Sequence, residues 1–506
     1  MNTAIVRYVL GYVLRIESLL MTLPIVTALI YQESQGWAYV IVALVCFFLG
    51  TLLSLKKPKS SLFYLKEGCV TTALSWIVMS VFGCFPFMIT KEIPSFFDAF
   101  FETVSGFTTT GSSILTDVEA VSHTSLIWRS FTHWTGGMGV LVFLLAIIPL
   151  TGGSNINLMK AESPGPSVGK LVPRIKSSAQ ILYLIYIGMT LLQIALLLCT
   201  KMPVFDTLCM TFGSAGTGGF GVRNDSAASY TIAQQWIIGV FCMLFGVNFN
   251  FYYFLLHKQP KKSLAMEEVR WYFIIILFST LTIFSRILSH VGNIERALRQ
   301  AFFQVASIIT TTGFSSVNFN KWDSVSKMIL VTLMFIGACA GSTGGGLKVS
   351  RVVILFKTFI KEIVSYIHPK SVKKIKMDGE TVEHDVIRST NVYFVTYFMI
   401  FVISLFIICF DGKDLITSFT AVAATFNNIG PGLGVVGPAG NFHSMSNLSK
   451  LVLSFDMLAG RLELFPMLIL FTPEIWTETF IAKKKHREHR LQMAKKAMAN
   501  CRQAHS

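Results

Sequence analysis

The sequence predicts an all-α polytopic membrane protein: four tandem helix–short helix–helix repeats about one central axis, preceded by an N-terminal pair of transmembrane helices. Three observations carry that expectation. Of 506 residues, 53% are hydrophobic and 14% charged, whereas soluble domains carry about 25% charged residues. Apolar runs long enough to cross roughly 30 Å of hydrocarbon recur along the chain, among them Ile181–Cys199, Trp236–Leu256, Tyr272–Leu288 and Val392–Phe410. Between such runs one hydroxyl-and-glycine phrase is written twice, as "FTTTGSS" at Phe107–Ser113 and as "ITTTGFSS" at Ile309–Ser316.

The hydropathy predicts about ten crossings, fewer if the glycine-interrupted segments, which score poorly, do not cross. The first segment, to about Ile30, contains Arg7, Arg15 and Glu17 and has no small-residue cleavage site, so it is expected to be a retained crossing rather than a removable signal peptide. With the N-terminus inside, the basic residues fall into alternate connections. These are Lys56, Lys57 and Lys59; Lys160, Lys170, Arg174 and Lys176; Lys258, Lys261 and Lys262; Lys357 to Arg388; and Lys483 onward. That is the positive-inside pattern, with both termini cytoplasmic. The net charge of +16 therefore reports topology and not nucleic-acid binding. The opposite connections are longer and poorer in Lys and Arg, and they hold the TTTG phrases. The 9 cysteines stand singly, without the paired spacing of disulfides or zinc sites, and read as packing residues.

Taking each phrase's glycine as anchor aligns four segments without gaps. "FFDAFFETVSGFTTTGSS" (Phe96–Ser113) and "RQAFFQVASIITTTGFSS" (Arg299–Ser316) share Ala-Phe-Phe and TTTG at one offset. "VFDTLCMTFGSAGTGGFG" (Val204–Gly221) places Phe205 and Asp206 where the first copy has Phe97 and Asp98, with TGG for TTG. "DLITSFTAVAATFNNIGPG" (Asp414–Gly432) keeps the small and aromatic run and its glycine, but writes Asn-Asn-Ile for the threonines. The expected organisation is an N-terminal pair (1–61), repeat 1 with its linker (62–178), repeat 2 (179–263), repeat 3 with a basic linker (264–388), repeat 4 (389–482) and a basic tail (483–506).

Each short helix is half a bilayer long: Asp98 to Phe107 covers about 15 Å at 1.5 Å per residue. Such a helix enters and turns back. Irregular backbone is tolerated at membrane depth only where protein buries it or it lines a watery cavity. Four such strands on one axis make a pore lining, so the units read as helix–pore helix–helix repeats around a central pore. A dehydrated alkali cation needs several oxygen ligands, which rings of carbonyls supply; glycine permits the backbone this requires. The hydroxyls of Thr108 to Thr110 and Thr310 to Thr312 either add ligands or satisfy nearby backbone. Helix C-termini aimed at the cavity add negative potential. A lone TTTG could be only a helix-breaking turn; four copies in register argue against that.

These residues resemble a superfamily of K⁺ transporters that includes bacterial Trk and Ktr subunits and plant and fungal relatives. The likeness spans essentially the whole chain and is closest to the Trk type, because an N-terminal pair precedes the first repeat. The resemblance implies potassium uptake across the bacterial cytoplasmic membrane, with K⁺ as the transported ion, no cofactor held by this chain and no enzymatic activity. It implies a selectivity filter marked by Gly111, Gly219, Gly313 and Gly430, flanked by Thr109, Thr110, Gly218, Thr311, Thr312, Asn428 and Ile429. Relatives with serine at the first filter glycine tend to accept Na⁺, so Gly111 leans toward K⁺; a Na⁺-selective or Na⁺-coupled transporter of the same fold is the alternative.

"GACAGSTGGGLKVSR" (Gly337–Arg351) is a glycine run inside a crossing, where a continuous helix is implausible because each glycine costs about 1 kcal/mol against alanine. The resemblance implies a gate loop here, Gly341, Ser342, Thr343, Gly344, Gly345 and Gly346, with Lys348 anchoring or guarding it. Close helix packing through small residues is the plainer reading. Arg461, ionisable within an apolar crossing, is a functional candidate by default; the resemblance makes it a positive barrier below the filter, while pairing with Glu463 or Asp456 is the structural alternative. The family also implies a homodimer and a cytoplasmic ring of TrkA-like nucleotide-binding subunits, for which the linker Ile367–His384 and the tail from Lys483 are expected docking surfaces. The same basic stretches would also serve as topology determinants against anionic lipid.

Two motifs mislead. Gly432-x-Gly434-x-x-Gly437 has dinucleotide-binding spacing but follows no strand, and "GSTGGGLK" places its lysine one residue late for a phosphate loop. An intramembrane enzyme using Glu102, His133 or Asp456 as acid–base groups lacks a metal or nucleophile partner at usable spacing.

Overall fold

The computed structural model describes residues 2–58, 64–137, 139, 175–370 and 373–476, with side chains of the helix at 175–199 described from 181. Lys59, Lys160, Lys170, Arg174, the Lys176 side chain and the tail from Lys483 lie outside the described residues.

The architecture is helical, and its four units have one internal rhythm. Each opens on a helix of 25 residues: Leu65–Ile89, Ile175–Cys199, Glu267–Val291 and His384–Ile408. At 1.5 Å per residue each is about 37 Å long, enough to span a bilayer. A short helix follows, Phe96–Phe107, Val204–Gly216, Ile294–Ile309 or Leu415–Phe426. After an irregular segment the unit returns through His123–Gly137, Ile232–Phe245, Ser324–Ile336 or Asn447–Arg461, helices of 13 to 15 residues. At 13 to 15 residues these return helices are about 20 Å long.

Among the described residues 6 helices are long and apolar enough to span, or up to 7 if one bent pair counts as a span. That pair corrects the reading of Trp236–Leu256 as a single run: Ile232–Phe245 and Phe249–Leu256 meet at 92°. The cause is local. Gly246 is wedged against Thr310 and Tyr272, where a Cβ would come within 2.6 Å of each side chain. Asn248 then starts a new helix by accepting the Asn250 amide at 2.9 Å, an N-cap that ends one helix axis and begins another.

The N-terminal pair forms as expected. Thr3–Leu20 continues through Met21 into Thr22–Tyr31, and Gly36–Ser54 returns beside it. Gly11 and Gly50 let the two backbones touch, a Cβ on either falling 2.6 to 2.7 Å from the other's carbonyl oxygen. Glu33 in the connecting turn clips the pair to repeat 1: it accepts the backbone amides of His123 and Thr124, each at 2.9 Å, and so caps the helix His123–Gly137 with an anion at its positive end. The only strands among the described residues are Lys376–Met377 and Glu380–Thr381, a small antiparallel hairpin in the basic linker.

Candidate functional site

All four short helices end in the same way. The residue two before each anchor glycine is left-handed, Thr109, Thr217, Thr311 and Asn428 at φ 55°, 55°, 60° and 56°, and so are Gly111, Gly219, Gly313 and Gly430 at 80°, 78°, 84° and 101°. The amide between them bonds five residues back: Thr110 to Ser105 at 2.9 Å, and Gly218 to Gly213, Thr312 to Ser307 and Ile429 to Ala424, each at 2.8 Å. With the preceding amide bonding three back, at 3.0 to 3.1 Å, this is a Schellman ending. Threonine occupies the left-handed position three times, although that conformation costs an L-residue roughly 1–2 kcal/mol.

The four segments meet in chain order and close on themselves. A Cβ on Gly111 would overlap the carbonyl oxygen of Gly218, one on Gly219 that of Thr312, and one on Gly313 that of Ile429; one on Gly430 would lie 2.8 Å from the Thr110 carbonyl oxygen. Every residue expected at the filter is therefore in this ring.

Of the two roles left open for the threonine hydroxyls, four take the structural one. Thr108 and Thr110 hydroxyls lie 2.8 Å apart, as do Thr310 and Thr312. Thr108 and Thr310 donate onward to Val104 and Ala306 carbonyls at 2.6 and 2.7 Å. Asn428 Nδ2 donates to Thr110 Oγ1 and to the Met457 carbonyl, both at 2.9 Å, so the divergent fourth copy is tied to the first. Thr109 Oγ1 and Asn428 Oδ1 are buried without a protein partner.

The ring is braced by polar side chains that the sequence offered as acid–base candidates. Glu102 pairs with Arg129 at 2.7 Å and accepts the Ile114 amide and the Ser113 hydroxyl, each at 2.9 Å, tying the first short helix to the strand after it. The Arg129 guanidinium sits 4.1 Å over the Phe220 ring. His133 Nδ1 lies 2.8 Å from the Gly106 carbonyl while its Nε2 accepts the Phe220 amide at 3.2 Å. That network assigns the neutral Nδ1–H tautomer and links the first segment to the second. Asp456 Oδ1 accepts from the Ser404 hydroxyl at 2.7 Å.

Below the ring, the helix Ser324–Ile336 stops and the glycine run crosses to the helix Val349–Ile367. The run is packed against the third and fourth segments. The Gly345 amide donates to Thr311 Oγ1 at 2.6 Å, and a Cβ on Gly344 or Gly345 would come within 2.8 Å of Thr310 O or 2.6 Å of Asn427 O. It also rests on the bend of repeat 2: Cys339 N donates to Gly246 O at 3.1 Å, Phe249 N to Gly341 O at 3.0 Å, and Thr343 Oγ1 to Phe245 O at 3.2 Å. Ser342 and Gly346 complete the turn, and Lys348 Nζ donates to the Gly344 carbonyl of its own loop.

Arg461 joins this loop to repeat 1. One guanidinium nitrogen donates to Thr343 O at 2.7 Å, the other to Gly136 O and Gly137 O at 2.6 and 2.9 Å. Glu463 is ion-paired with Arg351. The charged groups around Lys348 are two acidic and two basic, Glu463, Glu268, Arg461 and Arg351. Sequence reasoning missed Arg129, the left-handed Thr217 two before Gly219, and Glu268, which accepts the Ala340 and Ser350 amides at 2.6 and 3.0 Å. The paired carboxylates Glu267 and Glu268 opening a spanning helix were the available signal for Glu268.

Comparison with known proteins places these features in a family. The family model described as "TrkH: Cation transport protein" matches residues 36–478. The Trk system potassium uptake protein TrkH of Salmonella typhimurium is 35% identical over 487 residues, covering 94% of this chain and 100% of that protein. The Trk system potassium uptake protein TrkG of Escherichia coli is 31% identical over 488 residues, with the same two coverages of 94% and 100%. The crystal structure of the potassium transporter TrkH from Vibrio parahaemolyticus superposes with a TM-score of 0.84 at 32% identity, covering 94% of this chain and 100% of that one.

Proposed function

Because this chain belongs to the TrkH family of cation transport proteins, we propose that it takes up potassium across the bacterial cytoplasmic membrane, with the four-segment ring as its selectivity filter. The observation that carries this is the closure of the ring: four left-handed glycines, each pressed on the backbone of the next segment. The strain at the left-handed Thr109, Thr217, Thr311 and Asn428 is of the sort that persists where the surroundings over-determine it and function uses it. Non-helical strands around one axis present carbonyl oxygens that replace the water shell of a bare monovalent cation. The unpartnered Thr109 Oγ1 and Asn428 Oδ1 add oxygens of the same kind, and the C-terminal ends of four short helices add negative potential.

In this mechanism the loop from Gly341 to Gly346, with Lys348, is the gate, because it lies directly under the third and fourth segments and has to move for an ion to pass. Arg461 sets a positive barrier at the same level and holds the loop against repeat 1. A homodimer with one pore per subunit, and a TrkA-like nucleotide-binding ring docked on the linker 367–384 and the tail from 483, complete the assembly, with both termini cytoplasmic.

Rescue of a K⁺-uptake-deficient bacterium in low K⁺ tests the proposal. The native chain restores growth, and Gly313→Ser, which crowds the Ile429 carbonyl, weakens K⁺ preference over Na⁺ in Rb⁺ and Na⁺ flux. A chain that reaches the membrane without rescuing, or a Gly313→Ser protein with unaltered preference, overturns it.

A further inference from the structure

The two shoulders of the glycine loop converge on one carboxylate atom. Glu268, the second residue of the helix Glu267–Val291 and only 4% exposed, accepts through Oε1 the Ala340 amide at 2.6 Å and the Ser350 amide at 3.0 Å. The first donor precedes the glycine run. The second belongs to the first turn of the helix that resumes after it, where an anion is favoured. Bonds from amides to an ionised carboxylate are about twice as strong as neutral ones, so a single oxygen draws both ends of the loop together.

The helix turn that carries Glu268 is held in place from the basic linker. Asp378 Oδ1, in the turn of the Lys376–Thr381 hairpin, accepts the Glu267 amide at 2.6 Å. Glu267 pairs with Lys357 at 2.6 Å, and Lys357 Nζ also donates to the Lys376 carbonyl at 2.7 Å. The hairpin, the start of the spanning helix and the loop thus form one connected set of polar contacts.

We propose that Glu268 is a positioning residue that latches the loop in its closed arrangement, with the hairpin around Asp378 bracing the helix turn that carries it. This rests on the loop being the gate. The latch stabilises only the closed arrangement, because a loop that moves must withdraw its amides from Oε1. Without the carboxylate, those amides are stranded in a buried site while the loop is closed.

The test is partner-free Rb⁺ uptake by the full-length chain in liposomes. Glu268→Gln keeps the shape and removes the charge. Ser350→Pro removes one donor in the first turn of a helix, where proline is tolerated, and serves if the Gln variant does not assemble. Each is expected to raise basal uptake roughly tenfold, the shift produced by a bias of about 1.4 kcal/mol. The double variant rises by less than the two effects added as free energies, because both changes weaken the Ser350 bond to Oε1 while only the first weakens the Ala340 bond. The Rb⁺ to Na⁺ ratio stays at the native value, which a general loosening of the ring would not allow. Uptake at the native level in assembled variants, additive increases, or a changed ratio would each overturn the latch. If Arg461→Gln conducts while the latch variants do not exceed native, the latch alone fails; if no variant carries Rb⁺, the transport proposal fails and takes the latch with it.

Discussion

The ring and the loop beneath it are made of the same materials, glycines and small hydroxyl residues, yet they are held by opposite means. In the ring, each left-handed residue is locked by bonds three and five residues away. Each glycine is pressed on a neighbouring backbone, and buried side chains such as Glu102, Arg129 and His133 bridge the segments. In the loop, the tethers are long-range: to Gly246, Phe245 and Arg461 in other repeats, and to Thr311 and Glu268 far away in its own. Local over-determination makes a rigid element, whereas a few long-range bonds make one that is released when a partner group moves.

The largest effect that would break this contrast is expected at Gly219. Alanine there combines a left-handed penalty of roughly 1–2 kcal/mol with overpacking of typically 1–3 kcal/mol against the Thr312 carbonyl. K⁺ uptake, read as growth in low K⁺, should fall on the order of 100-fold, as those energies imply. Gly292→Ala is the control, since Gly292 has φ 68° but open space around it; there only the conformational term remains and uptake should hold. Next, Glu102→Leu strands the buried Arg129 and should destabilise the fold by roughly 3–5 kcal/mol in thermal unfolding, with Arg129→Met restoring most of the loss.

Smaller effects sharpen the loop side of the comparison. Arg461→Gln should raise Rb⁺ flux roughly tenfold, as expected for removing a barrier of about 1.4 kcal/mol; unchanged or lower flux would count against the barrier. Asp378→Ala removes a cap of about 1 kcal/mol from the Glu267 amide and should raise partner-free flux a few-fold; unchanged flux would show that the hairpin does not brace the latch.

The smallest effect is one of pH. Burial raises the Glu33 carboxyl, but the hydrogen bonds from Thr124 and His123 together outweigh it and hold the group below the usual carboxylate range. Its stabilising contribution is thus present above that range and lost as pH falls through the depressed value. The native protein should show a small drop in Tm on acidification that Glu33→Gln lacks.

Much of the ring was legible because its causes are short-range. The helix pattern, the glycine and the residues that close the Schellman ending lie within a single stretch of sequence, so aligning four copies on one glycine exposed them. The bend at Gly246 was not legible in Trp236–Leu256, since hydropathy counts apolar residues and is blind to Thr310 and Tyr272 pressing on that glycine. Asn428 read as divergence from threonine; its amide instead reaches across to Thr110, a bond between residues 318 apart in sequence.

By itself the sequence determined that this chain lives in a membrane, that it carries four copies of one unit, and where each copy must leave helical geometry, because hydrophobicity, periodicity and glycine's conformational freedom are local properties. Only the tertiary structure decided that the four departures close into a ring, that Arg461 and Glu268 both seize the glycine loop, and that Glu102 and His133 are braces. Those outcomes depend on which distant amides, carbonyls and side chains are brought within reach of one another, a consequence of packing that no single stretch of sequence contains.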